Sequence, residues 1–208
     1  MSQLMISVSG IRGIVGEALT PEVVAHYAAR LATWLPAGPI VFGRDSRPSG
    51  PVLRHAILAA MTGVGREVID LGVVPTPTVQ VEVEQRRAAG GIALTASHNP
   101  VEWNALKLIG GDGRFLTATT GRAFLDAAAT MTPAWKSWDG LGHVTTAVDP
   151  LSRHLGLILG LDFLPVADIR ARGFRVALDA VHGAGGLIGR QLLEALGCRA
   201  EILFAEPT

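Results

Sequence analysis

One cysteine, Cys198, is all that the 208 residues contain, so the chain can form neither an internal disulfide nor a zinc site built on cysteines. Excess charge is also missing. Lys plus Arg (18) balances Asp plus Glu (18), which removes any general pull toward nucleic acid or an anionic membrane. Phosphate binding, if there is any, must therefore come from a local site. Long apolar runs are absent too. The longest near the middle, residues 155–164, is broken by Gly156, Gly160 and Asp162 and is too short to span a bilayer. The opening residues show no basic flank leading into an apolar stretch, so no signal peptide is expected. No internal repeat or low-complexity tract is present. These absences point to a soluble, cytoplasmic protein with no nucleic-acid partner and no membrane partner, and they assign no oligomeric state.

What is present is a core. Apolar residues make up 49% of the sequence and charged residues 17%, a balance suited to one large domain or two small ones. Thr20 to Leu35 reads as a helix, with Thr20 as its cap, Pro21 in the first turn and Glu22 at the positive end. Ile40 to Gly43 is a short buried strand that runs into the polar cluster Arg44-Asp45-Ser46-Arg47. A helix over 52–62, a strand over 67–71, a helix ending near Gln85 and a strand over 91–95 follow. Periodicity loosens over 135–148, which reads as a linker or edge segment where Trp135 and Trp138 cover a core edge. Helices over 150–160 and 167–172 come next. A strand over 174–179, a glycine-rich turn over 181–186, a helix over 187–196 and a strand over 200–204 then form a β-α-β unit. Such alternation predicts a mixed α/β sheet, in which ligands gather where strands end. A lone β-α-β unit is expected to leave apolar surface uncovered.

The densest chemistry lies in Thr95-Ala-Ser97-His98-Asn99-Pro100. A serine just past a buried strand, stiffened by a proline, can hold its hydroxyl in line for attack on phosphorus or carbon. The same cluster also reads as an ordinary turn. An esterase elbow fits poorly, because Thr95 and Asn99 stand where glycines are required. Arg44, Asp45 and Arg47 either line a cleft or brace the serine loop. Asn99 and Asn104 are expected to fix loops through side-chain bonds to backbone. The remaining histidines, at positions 26, 55, 143 and 154, lack ligand spacing and read as surface or helix residues.

Four motifs in order, Ser9-Gly-Ile-Arg12-Gly13, Gly43-Arg-Asp-Ser-Arg47, Thr95-Ala-Ser-His-Asn-Pro100 and Asn104-Ala-Leu-Lys107, resemble the first domain of the α-D-phosphohexomutase family across residues 6–125. The family includes phosphoglucomutases, phosphomannomutases and phosphoglucosamine mutases. The resemblance implies a phosphoserine at Ser97 and an active-site arginine at Arg12, with Lys107 assisting proton transfer and His98 orienting groups in the site. It implies a hexose phosphate substrate, a hexose 1,6-bisphosphate activator and Mg²⁺ held in part by the Ser97 phosphate. It divides the chain into a phosphoserine domain over 1–135 and the start of a second, similar domain over 148–208.

The turn Asp179-Ala-Val-His-Gly-Ala-Gly-Gly186 resembles the opening of that second domain. A dinucleotide fingerprint fits it less well, because Ile188 stands where the third glycine belongs. The family's metal loop, Asp-Gly-Asp-x-Asp-Arg, does not occur in the sequence, and neither do its sugar-recognition and phosphate-binding loops. The expectation is therefore an incomplete piece of a mutase, inactive alone. The alternative is a non-catalytic module that binds a sugar phosphate or a partner.

Overall fold

The computed structural model describes residues 3–7 and 10–207; Ser9, at the head of the first motif, lies outside them. Strands β1 (Met5–Ser7), β2 (Gly10–Ile14), β3 (Ile40–Arg44), β4 (Val68–Val73), β5 (Gly90–Leu94), β6 (Trp103–Gly110) and β7 (Val144–Thr146) form one mixed sheet. Its order is β1-β2-β6-β5-β3-β4-β7. The β5-β3-β4-β7 pairings are parallel, and the β1-β2, β2-β6 and β6-β5 pairings antiparallel.

Helices α1 (Pro21–Trp34), α2 (Gly50–Gly63) and α4 (Ala118–Thr130) belong to one side, and α3 (Thr76–Gln85) to the other. The strands serve both cores by alternation, as a pleated sheet requires. Ile40, Phe42, Ile92 and Leu94 pack toward α1, α2 and α4, where Phe124 and Ala128 close the layer. The intervening Val41 and Ala93 pack with Val79 and Val83 of α3. Each fully buried side chain of this size contributes roughly 1.5–3 kcal/mol, which makes this double alternation the main source of stability.

The start of α1 follows the expected chemistry, with the Val23 amide donating to Thr20 Oγ1 at 3.2 Å. Two features depart from the sequence reading, the unassigned elements and Trp138, while the edge reading of residues 135–148 fits the place of β7. Strands β2 and β6 and helix α4 occupy stretches to which the sequence assigned motifs or nothing. The loosely patterned segment contains β7, which pairs with β4 at the edge of the sheet. Trp135 lies over α2, where a Cβ on Gly63 would meet its ring at 2.9 Å, but Trp138 is 88% exposed and covers no core.

Beyond β7 come α5 (Ser152–Leu159), α6 (Val166–Arg172), β8 (Arg175–Asp179), α7 (Gly185–Ala195) and β9 (Arg199–Leu203). Strands β8 and β9 pair in parallel as a separate two-stranded sheet. The expected uncovered apolar surface is present: Phe174 is 49% exposed, Leu203 49% and Phe204 55%.

This second unit docks on α3. Leu151 is buried in the α3-side core, with Leu155 and Ile188 packed against it. Thr78 of α3, fully buried, shares a 2.9 Å hydrogen bond with His154 Nδ1. Glu82 of α3, also fully buried, is paired by Arg86 on its own helix and by Arg153 Nη1, which spans both carboxylate oxygens at 3.0 and 3.1 Å. On the opposite side, the buried Asp70 of β4 is held by Arg54 Nε of α2 at 2.6 Å.

Burial pushes the His154 imidazole below its ordinary value of 6.5. The unfolded chain therefore binds this proton more readily. Stability is full above the unfolded value and is lost as pH falls through the folded one. Between about pH 7.5 and about pH 5, His154→Gln is expected to lose less melting temperature than the parent chain. His26, pushed down by burial and by Arg30, acts with the same sign in both proteins and cancels. Parallel thermal scans of the two proteins check this; equal slopes would remove His154 from the balance.

Candidate active site

The serine motif is the connection between β5 and β6, two antiparallel neighbours. Its residues run from Thr95, whose amide donates to the Ala105 carbonyl at 2.9 Å, round to Trp103. At the turn Ser97 adopts φ 55°, the left-handed region that side chains other than glycine rarely occupy. Such a conformation costs on the order of 1–3 kcal/mol and persists only where the surroundings enforce it.

The enforcement comes largely from Arg47, in the loop after β3. Its Nη2 donates to the carbonyls of Ser97 (2.9 Å) and Asn99 (2.7 Å), and its Nη1 to those of Pro100 (2.6 Å) and Trp103 (3.0 Å). Its Nε is paired with Asp45 at 3.1 Å, and Asp45 also accepts from the Arg47 amide. All the N–H directions of the guanidinium are thus spent on holding the loop and on its own carboxylate. From below, Thr95 Oγ1 accepts from the Ser97 amide at 3.2 Å.

Between the bracing and cleft-lining readings left open for Arg44, Asp45 and Arg47, the contacts show Arg47 bracing, with Asp45 as its counter-ion. Both also line a cleft. Arg44 does something else: its Nη1 donates to the Asp45 carbonyl at 2.9 Å. Burial, and secondarily the Arg54 cation, push its guanidinium down from the ordinary value, opposed by Asp70 and Asp45. The buried Asn104 accepts from the Ala105 amide at 2.8 Å and donates to Ser49 Oγ at 3.0 Å, fixing the root of β6 as expected. The backbone of Asn99, rather than its side chain, carries its recorded bonds: the amide donates to Ala96 and the carbonyl accepts from Arg47.

Strand pairing gathers the remaining predicted residues. Arg12 on β2 lies opposite Ala105, and Lys107 is two residues farther along β6, so both face the same side of the sheet. This close pairing depends on Gly10, which has φ 132° and whose Cβ would collide with the Leu106 carbonyl. Arg12, Ser97, His98 and Lys107 then line a single cleft of about 380 Å³, with Phe115 beneath the Lys107 ammonium at 5.6 Å. Ser97 is exposed at the rim between this cleft and a second one of about 460 Å³. Arg47, Thr76 at the start of α3, and Gly183 and Ala184 of the glycine-rich turn line the second cleft. Sequence reasoning assigned that turn to a separate domain. It missed that the turn reaches the serine, because no local pattern encodes the approach.

The residues present do not fit a Mg²⁺ cage. Among the described residues no three His, Cys, Asp or Glu side chains cluster as ligands. Asp112, the lone carboxylate of its glycine-rich turn, accepts from the Arg114 amide at 3.1 Å and lines a different cleft.

Residues 4–132 match the family described as phosphoglucomutase/phosphomannomutase, alpha/beta/alpha domain I. A phosphoglucosamine mutase of Prochlorococcus marinus (strain MIT 9303) is 34% identical over 210 residues, covering 99% of this chain and 44% of its own length. A probable phosphoglucosamine mutase of Methanopyrus kandleri is 32% identical over 96% of this chain and 43% of its own length. A solved phosphoglucomutase/phosphomannomutase family protein from Burkholderia thailandensis superposes with a TM-score of 0.78 at 26% identity, over 97% of this chain and 45% of that one. The chain therefore spans less than half the length of the relatives it matches.

Two outcomes follow from the loop geometry. Arg47→Ala strands several carbonyls and frees Asp45, and is expected to cost roughly 3 kcal/mol while speeding amide exchange selectively over residues 95–104. Denaturant melts with hydrogen exchange check it; unchanged exchange in that loop would show that the brace is idle. Ser97→Gly removes the penalty of the left-handed turn and is expected to raise stability by about 1 kcal/mol, whereas Ser97→Ala gives no such gain. Chemical denaturation of the two variants side by side measures the difference.

Proposed function

The chain belongs to the phosphoglucomutase/phosphomannomutase family as an N-terminal part of a phosphohexomutase, and from that membership we propose that Ser97 carries the phosphoryl group exchanged with a hexose phosphate. The observation that supports this best is the meeting of Arg12, His98 and Lys107 around the exposed Ser97 in one cleft.

In the forward step the phosphoserine P–Oγ bond breaks while phosphorus bonds to the free hydroxyl of a hexose monophosphate. The product is a hexose 1,6-bisphosphate and a free serine. Lys107, an ammonium in the resting cleft, gives a proton to the departing Ser97 Oγ and takes up the proton of the attacking hydroxyl, with His98 orienting the acceptor. After the bisphosphate reorients, its other phosphoryl group returns to Ser97 Oγ and the isomeric monophosphate departs. Phosphoryl transfer needs positioning and charge neutralisation more than covalent assistance. Arg12 supplies a fixed positive charge to the transferring oxygens, and the loop lock holds Oγ at a set angle. Ordinary rotation of a flexible loop would spread that angle and lose in-line alignment.

The Mg²⁺ implied by the family would need ligands beyond those described here, so no step is assigned to it. A glucosamine phosphate is the substrate that the names of the Prochlorococcus marinus and Methanopyrus kandleri relatives carry, and it is the first substrate to test. A cytoplasmic setting belongs to the same proposal; among the described residues no helix is long and apolar enough to cross a membrane.

The test is phosphoserine formation and turnover. After incubation with glucose 1,6-bisphosphate, peptide mass spectrometry is expected to place phosphate on Ser97, with none on Ser46 and none anywhere in Ser97→Ala. Interconversion of glucosamine 1- and 6-phosphates is expected to be absent from the 208-residue chain alone. It is expected to appear once the chain is joined to the C-terminal domains of a relative, and to fall by at least roughly a thousandfold in Ser97→Ala of that longer protein. Undiminished turnover in that variant would end the phosphoserine reading, and no turnover in the joined parent protein would favour a sugar-phosphate-binding module.

A further inference from the structure

The glycine-rich turn reaches the Ser97 cleft from a unit that shares no sheet with the serine domain. Something must set how far it reaches. The apolar part of the docking, Leu151, Leu155 and Ile188 against the α3-side core, is strong but non-directional and tolerates sliding. The polar part does not. Glu82 is a fully buried carboxylate, and a lone buried charge is expensive, so it holds its guanidinium partners in place. Arg86 comes from the same helix and carries no information about docking. Arg153 comes from α5 and carries all of it, with one nitrogen centred on both carboxylate oxygens. One turn earlier on α3, Thr78 bonds the next residue of α5, His154. Two adjacent residues of α5 are therefore fixed to two residues of α3 that stand one turn apart, which sets both height and rotation.

The consequences reach the cleft from both ends. Helix α3 begins at Thr76, which lines the cleft beside Ser97, and α5 packs on α7, which begins just after Gly183 and Ala184 on the opposite wall. We infer that Glu82, Arg153 and His154 form a positioning clamp that holds the Gly183–Ala184 turn across from Ser97 and so completes the second wall of the cleft. The clamp touches no reacting atom and acts through α5 and α7. Its importance for chemistry rests on the proposed role of Ser97, but its geometry does not.

The test uses the 208-residue chain. Arg153→Ala, with 44% of the parent side chain exposed, removes the inter-unit partner while Arg86 still neutralises Glu82, so the domain is expected to fold. Amide exchange is expected to quicken at least roughly ten-fold over residues 183–187 and 152–156, with β3 and β5 unchanged. Amide resonances of Gly183, Ala184 and Ser97 are expected to shift, Arg153→Lys to restore them, and Glu82→Gln to reproduce the Arg153→Ala pattern. Exchange that rises evenly through the whole protein, or cleft resonances that stay in place, would overturn the clamp. Binding of glucose 1,6-bisphosphate is measured alongside. A parent chain that fails to bind it counts against the Ser97 reading, while the exchange and resonance data still decide the clamp.

Discussion

The geometry of this protein at Ser97 depends on one guanidinium. Arg47 gives hydrogen bonds to four carbonyls of the β5–β6 connection and retains Asp45 as its counter-ion. A loop of this kind would otherwise present its carbonyls to water and sample many shapes. Bonded to a planar fork it has one shape, and that shape includes a serine in the left-handed region. The cost of the serine's backbone and the gain from charge-assisted bonds are of the same order, roughly 1–3 kcal/mol each, so several bonds outweigh one strained residue. Lysine could not replace this arrangement, since a point charge cannot span four acceptors lying in different directions.

That constraint explains the placement of the motifs in the chain. Arg47 follows β3 and the serine follows β5, and these strands are parallel neighbours, so their C-terminal ends share one edge of the sheet. Arg12 and Lys107 arrive on β2 and β6, next in order on the other side of β5. Four sequence segments, scattered over the first half of the chain, become adjacent through strand pairing alone. The cleft carries local positive charge from Arg12 and Lys107, while Asp45 on the neighbouring wall is committed to Arg47. A chain with no net charge can thus still favour an anion at one point.

Much of this was legible beforehand, and the exceptions share a cause. Helix α1 announced itself through Thr20, Pro21 and its apolar spacing; β3 and β5 were unbroken apolar runs between turn residues. Strand β2, Gly-Ile-Arg-Gly-Ile, hid because two glycines and an arginine mask any alternation; Gly10 serves the close approach to β6, and Gly13 lies against Ala18 and Leu19. Strand β6 hid behind its own motif, since Asn104 and Lys107 read as site residues rather than as members of a strand. Helix α4, whose buried face amounts to Gly121, Phe124 and Ala128, offers too little apolar contrast to stand out. The buried carboxylate Asp70 had no local signature, and Glu82 had only the i,i+4 Arg86, a spacing that an exposed helical pair shows equally well. The partners that matter for packing, Arg54 of α2 for Asp70 and Arg153 of α5 for Glu82, lie on other elements, and a sequence pattern reports neighbours along the chain, not across it.

Those two buried carboxylates mark how the molecule divides its work. Asp70 and Arg54 join β4 to α2 inside the serine domain, where apolar packing already fixes the arrangement and the ion pair adds a local bond to the Gly72 amide. Glu82 and Arg153 stand at the only place where the second unit meets α3 through charged groups recorded among the described residues. Replacing a buried ion pair by well-packed apolar residues is often neutral or stabilising. An extra leucine on this face would therefore have held the units together as well. What it could not have done is choose one register over its neighbours, and a wall that must stand opposite a rigidly held serine needs that choice made. The same logic operates at two scales here: Arg47 fixes a loop within the domain, and Arg153 fixes a unit against it.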